Sequence, residues 1–289
     1  MSQSNWLKLI LLASIWGGSF IFMRILAPTL GAVLTTTIRL FIAGLAMQIW
    51  FMVVKTDTQW QRWWRHYLII GLLNAGIPFL LFSYAARHLP AGYSAIINAT
   101  TPLFSTLFAV IWLNDQFTPR KVGGLLLGIV GVAVISYRTH HVVSHDFYLA
   151  IGACVCATLC YGLAGIYIRK FMSAAQPIAM SGCATLSSGL ILLPFALFNL
   201  PELATVQALG WQTILLSTLG LSLLCSAAAF VIYFKLIQDV GPAQTATVTL
   251  LIPLFGLLWA WLFLHEAITP IMLTGCALVL LSTHLILKK

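Results

Sequence analysis

Residues 102–124 read PLFSTLFAVIWLNDQFTPRKVGG, and residues 253–275 read PLFGLLWAWLFLHEAITPIMLTG. Both stretches open on Pro-Leu-Phe and reach an acid 13 residues after the proline, Asp115 in one and Glu266 in the other. Both then pass through Thr-Pro (Thr118-Pro119, Thr269-Pro270) and end on glycine (Gly124, Gly275), with no gap between them. The offset, 253 minus 102, is 151 residues. Upstream the echo continues at an offset of 145, where Trp16-Gly17, Phe22, Arg24 and Gly44 answer to Tyr161-Gly162, Tyr167, Arg169 and Gly189. Self-similarity at fixed spacing is the signature of a structure built twice. The chain therefore divides into two related halves, 1–140 and 147–289.

Composition sets the solvent in which those halves fold. Hydrophobic residues make up 61% of the chain and charged residues 7%, with a mean hydropathy of +0.99. Soluble domains carry about 25% charged residues, so this is an integral membrane protein. Runs of about 20 apolar residues, the length that crosses a bilayer, give ten candidate spans. They fall near 6–26, 30–54, 66–87, 91–113, 120–137, 147–169, 176–199, 209–236, 241–264 and 269–288. The expected fold is all-α, ten transmembrane helices as two five-helix repeats. The connections 55–65 and 138–146 are too short for a soluble domain. The first span is not expected to be a cleaved signal, since it lacks a small-x-small site and its Trp16-to-Arg24 pattern recurs at Tyr161 to Arg169.

An odd number of spans per repeat makes the second half enter the membrane in the opposite sense, so the repeat is inverted. The net charge of +9 fits topology better than nucleic-acid binding. With both termini cytoplasmic, that side holds Lys8, Lys55, Arg62, Arg65, Arg120, Lys121, Arg169, Lys170, Lys235, Lys288 and Lys289, and the other side only Arg24, Arg87 and Arg138. This is the positive-inside bias. It places Asp115 at the cytoplasmic surface and Glu266 at the external one.

Pro102 and Pro253 fall near the middle of the fourth and ninth spans. A proline there removes a donor and frees the carbonyl four residues back, on Asn98 and Thr249. Such prolines either kink a packed helix or shape a central path. Thr118 and Thr269 are good N-caps followed by proline at the first helical position, so the adjoining Asp115 and Glu266 read either as local caps or as gating or coupling groups.

Arg39 is the one basic residue deep in a span, opposite Ala184 in the repeat. A charge at that depth costs about 2.5–3.5 kcal/mol on insertion scales, so it should face the interior, as an anchor or as a substrate or gate contact. The six acids, Asp57, Asp115, Asp146, Glu202, Asp239 and Glu266, all avoid the midplane. No carboxylate relay is expected, which leaves Glu266, Asp115 or His284 to carry any proton coupling.

The remaining midplane polarity is uncharged, including Asn74, Asn98, Thr101, Ser222, Ser226 and Gln244 among the aromatics Trp16, Tyr84, Tyr161 and Tyr233. Such a cavity suits zwitterions, aromatic or amphiphilic compounds and neutral solutes. It suits phosphorylated substrates badly, because those call for several inward-facing cations. Asn98, Trp16 and Tyr161 are the leading substrate contacts, joined by Tyr84, Tyr233, Asn74, Gln244 and Arg39. Cys154, Cys156, Cys160, Cys183, Cys225 and Cys276 show no disulfide framework, and His140, His141, His145 and Asp146 read as a polar turn rather than a metal site. No cofactor and no metal is expected. The expected partners are a small-molecule substrate and lipid, with a monomer sufficient and a dimer open.

The double Pro-Leu-Phe, acid, Thr-Pro pattern, together with Trp16-Gly17-Gly18-Ser19-Phe20 and Arg39-Leu40-Phe41-Ile42-Ala43-Gly44, resembles the EamA-type members of the drug/metabolite transporter superfamily. That resemblance covers nearly the whole chain. It implies a cavity lined mainly by spans one, three, four, six, eight and nine, and export of metabolites, amino acids or toxic compounds across a bacterial inner membrane. Many members carry an acid before the proline of span nine, where this chain has Ile252. An antiporter of the sugar-phosphate or nucleotide-sugar type is the alternative within transport. A membrane-embedded enzyme would need His-Glu-x-x-His, Gly-x-Ser-x-Gly or paired intramembrane carboxylates, none of which occurs; a channel is the other reading outside carriers.

Overall fold

The computed structural model describes residues 2–137 and 145–287. Among them every regular element is helical. The first is a 52-residue stretch, Gln3–Val54, interrupted only at Gly31, whose φ of 77° and ψ of 161° lie outside the helical region. No side-chain residue adopts that φ without strain. Arg39 nevertheless donates to the sulfur of Met23, 16 residues back, across 3.7 Å. On a straight helix those residues would stand about 24 Å apart. The stretch is therefore a hairpin of two spans, α1 (3–30) and α2 (32–54), joined with no loop between them.

The remaining spans are α3 (Trp60–His88), α4 (Ala91–Leu113), α5 (Pro119–Ser136), α6 (His145–Phe171), α7 (Pro177–Leu197), α8 (Trp211–Val240), α9 (Val248–Leu264) and α10 (Pro270–Leu287). Each is long and apolar enough to cross a bilayer except α9, whose 17 residues are extended by a short helical turn, Pro242–Thr245. Thr118 caps α5 by accepting from the Lys121 amide, and Thr269 caps α10 by accepting from the Met272 amide. With ten spans, the start of α1 and the end of α10 share one end of the bundle, here called proximal. Lys8 of α1 and Asp239 of α8 form a 2.7 Å ion pair there.

The repeat is visible as paired contacts between the halves. A Cβ on Gly17 would stand 2.8 Å from the Gly256 amide and the Phe255 side chain, and one on Gly162 would stand 2.8 Å from Phe104 and the Ser105 amide. Gly17 and Gly162 correspond in the repeat, as do Phe255 and Phe104, and Gly256 and Ser105. The Trp/Tyr-Gly step of each half thus packs on the Pro-Leu-Phe segment of the other. Gly44 against Leu186 and Gly189 against Phe41 form a second such pair, and Gly124 against Ile286 and Gly275 against Ile135 a third. Small residues let helix backbones approach closely in membranes, and here they lock the two halves together along equivalent seams.

Two spans depart from α geometry at corresponding places. α3 contains a π-helical segment, Leu72–Gly76, and α8 a longer one, Gly220–Ala228. α4 and α9 are interrupted too, but unequally. The α4 break lies at Ala99-Thr100, just before Pro102. The α9 break lies at Ala246-Thr247, leaving Pro253 inside a continuous helix.

Candidate functional site

A cavity of about 540 Å³ occupies the middle of the bundle and runs toward the proximal end. α1 brings Trp16, α3 Asn74, α4 Asn98, α6 Tyr161 and α8 Tyr233, all named from sequence. The π segment of α3 carries Asn74, and that of α8 carries Cys225, at the wall. α2 contributes Arg39, and α7 contributes Met180, Ser181, Ala184 and Thr185. Spans two and seven therefore join the six that the family resemblance implied.

Two expected wall residues lie elsewhere. Tyr84 packs at a tilt against His88 one turn away, with ring centroids 5.1 Å apart, and faces a separate crevice beside Pro28 and Gly31. Gln244 is exposed in the turn before α9, because the break at Ala246-Thr247 carries it out of the span. The Asn98 carbonyl, expected to be freed by Pro102, accepts from the Thr101 hydroxyl at 2.8 Å. The thiols of Cys156 and Cys160 assemble no ligand set with other described residues, and His140 and His141 lie outside the described residues.

Arg39 is 3% exposed. Its Nε donates to Ser226 Oγ at 3.0 Å, Ser226 donates in turn to the Leu221 carbonyl at 3.0 Å, and the Phe79 ring lies 3.6 Å from the guanidinium carbon. The π geometry of α8 makes this possible, since Ser226 reaches a carbonyl five residues back. Phe79 and Met23 were not singled out from sequence: nothing in their own apolar context distinguishes them until α1 to α3 are folded against each other.

Beyond Met23 and Phe82 the cavity ends against a packed distal core that includes Leu26, Leu30, Ala86 and Leu89. Over this core lies an ion pair. Glu266, in the α9–α10 turn, meets Arg24 of α1 at 3.4 Å and accepts from the Ala91 amide at the start of α4 at 2.8 Å. Arg24 also donates to the Ala86 carbonyl of α3 at 2.8 Å. One acid and one base thus tie four segments together. Burial holds the Glu266 carboxyl above the ordinary glutamate range, against the opposing pull of the Ala91 amide and Arg24.

The repeat counterparts at the proximal end are arranged differently. Asp115 is exposed and pairs with Lys121 at 2.9 Å, which with the Gln116 amide holds its carboxyl below the usual range. Arg169, the counterpart of Arg24, lines the cavity mouth and makes no ion pair within 4.0 Å among the described residues. The partnership of Arg24 with Glu266 left a signal in the sequence that went unread, namely that base and acid recur together in both halves.

The EamA-like transporter family matches the chain twice, over residues 4–137 and 148–288. The uncharacterized transporter YvbV of Bacillus subtilis is 28% identical over 98% of this chain and 91% of its own length. A probable terminal-alkyne amino-acid exporter of Streptantibioticus cattleyicolor is 23% identical over 100% of this chain and 95% of its own. A solved crystal structure, 15% identical, superposes with a TM-score of 0.67 over 99% of this chain and 96% of that one, which speaks for the fold alone. Two interlocked five-helix repeats, a polar cavity between them and matches that span both halves make this chain a member of the EamA-like transporter family.

Proposed function

We propose that the protein is a secondary exporter of small metabolites, most consistent with amino acids or aromatic and amphiphilic compounds, working by alternating access in a bacterial inner membrane. Asn98, Trp16, Tyr161, Tyr233 and Asn74 contact the substrate, with both termini in the cytoplasm. The observation that carries this reading is the unequal state of two equivalent gates. Arg24 and Glu266 are joined at the distal end, while Arg169 and Asp115 are apart at the proximal end, where the cavity wall continues to Arg169, Ser173 and Pro177.

Inverted repeats interconvert two states by exchanging the conformations of their halves. In the opposite state Asp115 leaves Lys121 for Arg169, and Arg24 and Glu266 separate. The amino-acid class draws support from the exporter among the relatives and from a cavity that mixes amides with aromatic rings. Efflux from proteoliposomes loaded with a panel of amino acids and aromatic compounds, with and without a pH gradient, tests the proposal. Movement of a panel member by the wild type, lost in Asn98→Ala and slowed in Glu266→Gln, is the expected result. A folded protein that moves nothing on the panel would overturn it.

A further inference from the structure

Arg39 is a fully buried cation with no anion. The acids nearest in sequence to any span sit at helix ends, and no carboxylate comes within 4.0 Å of it among the described residues. A guanidinium carries five N–H donors. Here one goes to Ser226 Oγ and one to Met23 Sδ, a weak acceptor, and the ring face of Phe79 covers one side of the plane. The other donors have no protein acceptor among the described residues. A cation placed this deep with no counter-charge from the protein is costly by several kcal/mol.

The surroundings nevertheless hold this guanidinium firmly. Ser226 comes from α8, Met23 from α1 and Phe79 from α3, so three spans besides its own fix the plane. A structural anchor would spend its donors on carbonyls. This one keeps part of its fork unspent at the wall of a 540 Å³ cavity. Close by stand Tyr161 and Trp16, whose hydroxyl and indole N–H also have no protein partner among the described residues. Resting on the transport reading above, we propose that Arg39 docks a carboxylate, and that the transported solute is a small monocarboxylate with an apolar or aromatic body.

A carboxylate matches the planar fork through two parallel hydrogen bonds and neutralises the single charge. A phosphate monoester would bring a second negative charge. The next cation along the wall, Arg169, lies eight residues beyond Tyr161 on α6, about 12 Å along the helix, and is exposed. Phe79, Phe82 and Tyr233 supply the surface for the body of the solute, and the cavity volume is that of a small-ligand site.

Binding to purified protein in nanodiscs, read by Trp fluorescence and by the shift in thermal midpoint, tests the site without requiring transport. The probes are 3-phenylpropanoate, its neutral amide 3-phenylpropanamide, and phenyl phosphate. Wild type is expected to bind the carboxylate at least about tenfold more tightly than the amide, the loss expected when one charged hydrogen-bond pair is removed, and more tightly than the phosphate, whose second charge meets no second cation. Arg39→Gln should abolish that preference, and Arg39→Lys should keep the sign but weaken it. Ser226→Ala, which only loosens the fork, should retain a reduced preference and serves where Arg39→Gln does not fold. Equal binding of acid and amide, a preference unchanged in the Arg39 variants, or no binding of any probe at millimolar concentration would overturn the proposal. Preference for the carboxylate without its movement in proteoliposomes would keep the site and sink the transporter reading. Movement of the amide as readily as the acid would do the reverse.

Discussion

Single atoms decide much of this molecule's stability. Gly17 and Gly162 are required because any side chain would overlap backbone on the facing span. Gly17→Ala is expected to destabilise by about 1–3 kcal/mol, read as a lowered thermal midpoint, whereas Gly123→Ala, with nothing within 4 Å of its Cβ position, should be neutral or stabilising by up to about 1 kcal/mol. Equal losses at both positions would show that helix contact is not the cause. Glu266 adds a pH dependence of known sign. Its carboxyl is held above the ordinary range by burial, so the folded, distally closed protein binds that proton more tightly than the unfolded chain. Its contribution is fully present below the ordinary glutamate value and is lost as pH rises through the raised one. The wild-type thermal midpoint, referenced to Glu266→Gln at each pH, should therefore fall across that window. A flat difference would mean the carboxyl is not desolvated in the closed state.

At the level of elements, the α4–α5 turn carries a choice. Asp115 is occupied by Lys121 at 2.9 Å, and the alternating-access scheme proposed above has it pair with Arg169 when the proximal end closes. Lys121→Ala should free the acid and shift the population toward the proximally closed state, raising the labelling of a cysteine placed at Ala91, which is buried beneath Glu266 in the distally closed structure, while Lys121→Ala with Asp115→Asn should cancel the gain. What could be read from sequence at this scale follows the physics of each signal. The ten spans were legible because hydropathy and length are local properties, and the Thr caps of α5 and α10 because a cap needs only neighbours. The loopless hairpin at Gly31 was not, since the spans 6–26 and 30–54 were drawn from hydropathy, which carries no backbone angle. The π segments were illegible as well: Leu72–Gly76 and Gly220–Ala228 read as ordinary apolar helix, and only the wall of the cavity explains the extra residue per turn. Gln244 was misplaced for a similar reason. The sequence located the kink of α9 at Pro253, and the chain breaks at Ala246-Thr247, more than a turn earlier.

Taken as a whole, the molecule is symmetric along its seams and asymmetric at its ends. The three pairs of glycine contacts obey the repeat, and the ion pairs at the two ends, Arg24 with Glu266 and Lys121 with Asp115, do not. In the alternating-access scheme proposed above, such a division would let the halves rock as bodies while the two ends differ in which is shut. It also fixes a topology that labelling can check. Single cysteines at Gln116 and Ala267, the turns of the two related motifs, are expected to react with an impermeant thiol reagent from opposite faces of the membrane, Gln116 from the cytoplasmic side. Labelling of both from one face would remove the inverted repeat and the gating scheme with it.

The solitary charge of Arg39 has an electrical consequence. If a monocarboxylate docks as proposed, the empty carrier holds the buried positive charge of Arg39 in its interior and the occupied carrier holds none. When access switches from one face to the other, the field across the membrane acts on the first form and not on the second, with up to about 2.3 kcal/mol per charge per 100 mV available to bias it. Exchange of internal for external solute, which uses only the occupied form, is then expected to be indifferent to membrane potential. Net efflux, which requires the empty carrier to return, should respond to it, and a potassium-diffusion potential imposed on the same proteoliposomes separates the two. Equal sensitivity of exchange and net flux would mean that the occupied carrier is charged as well.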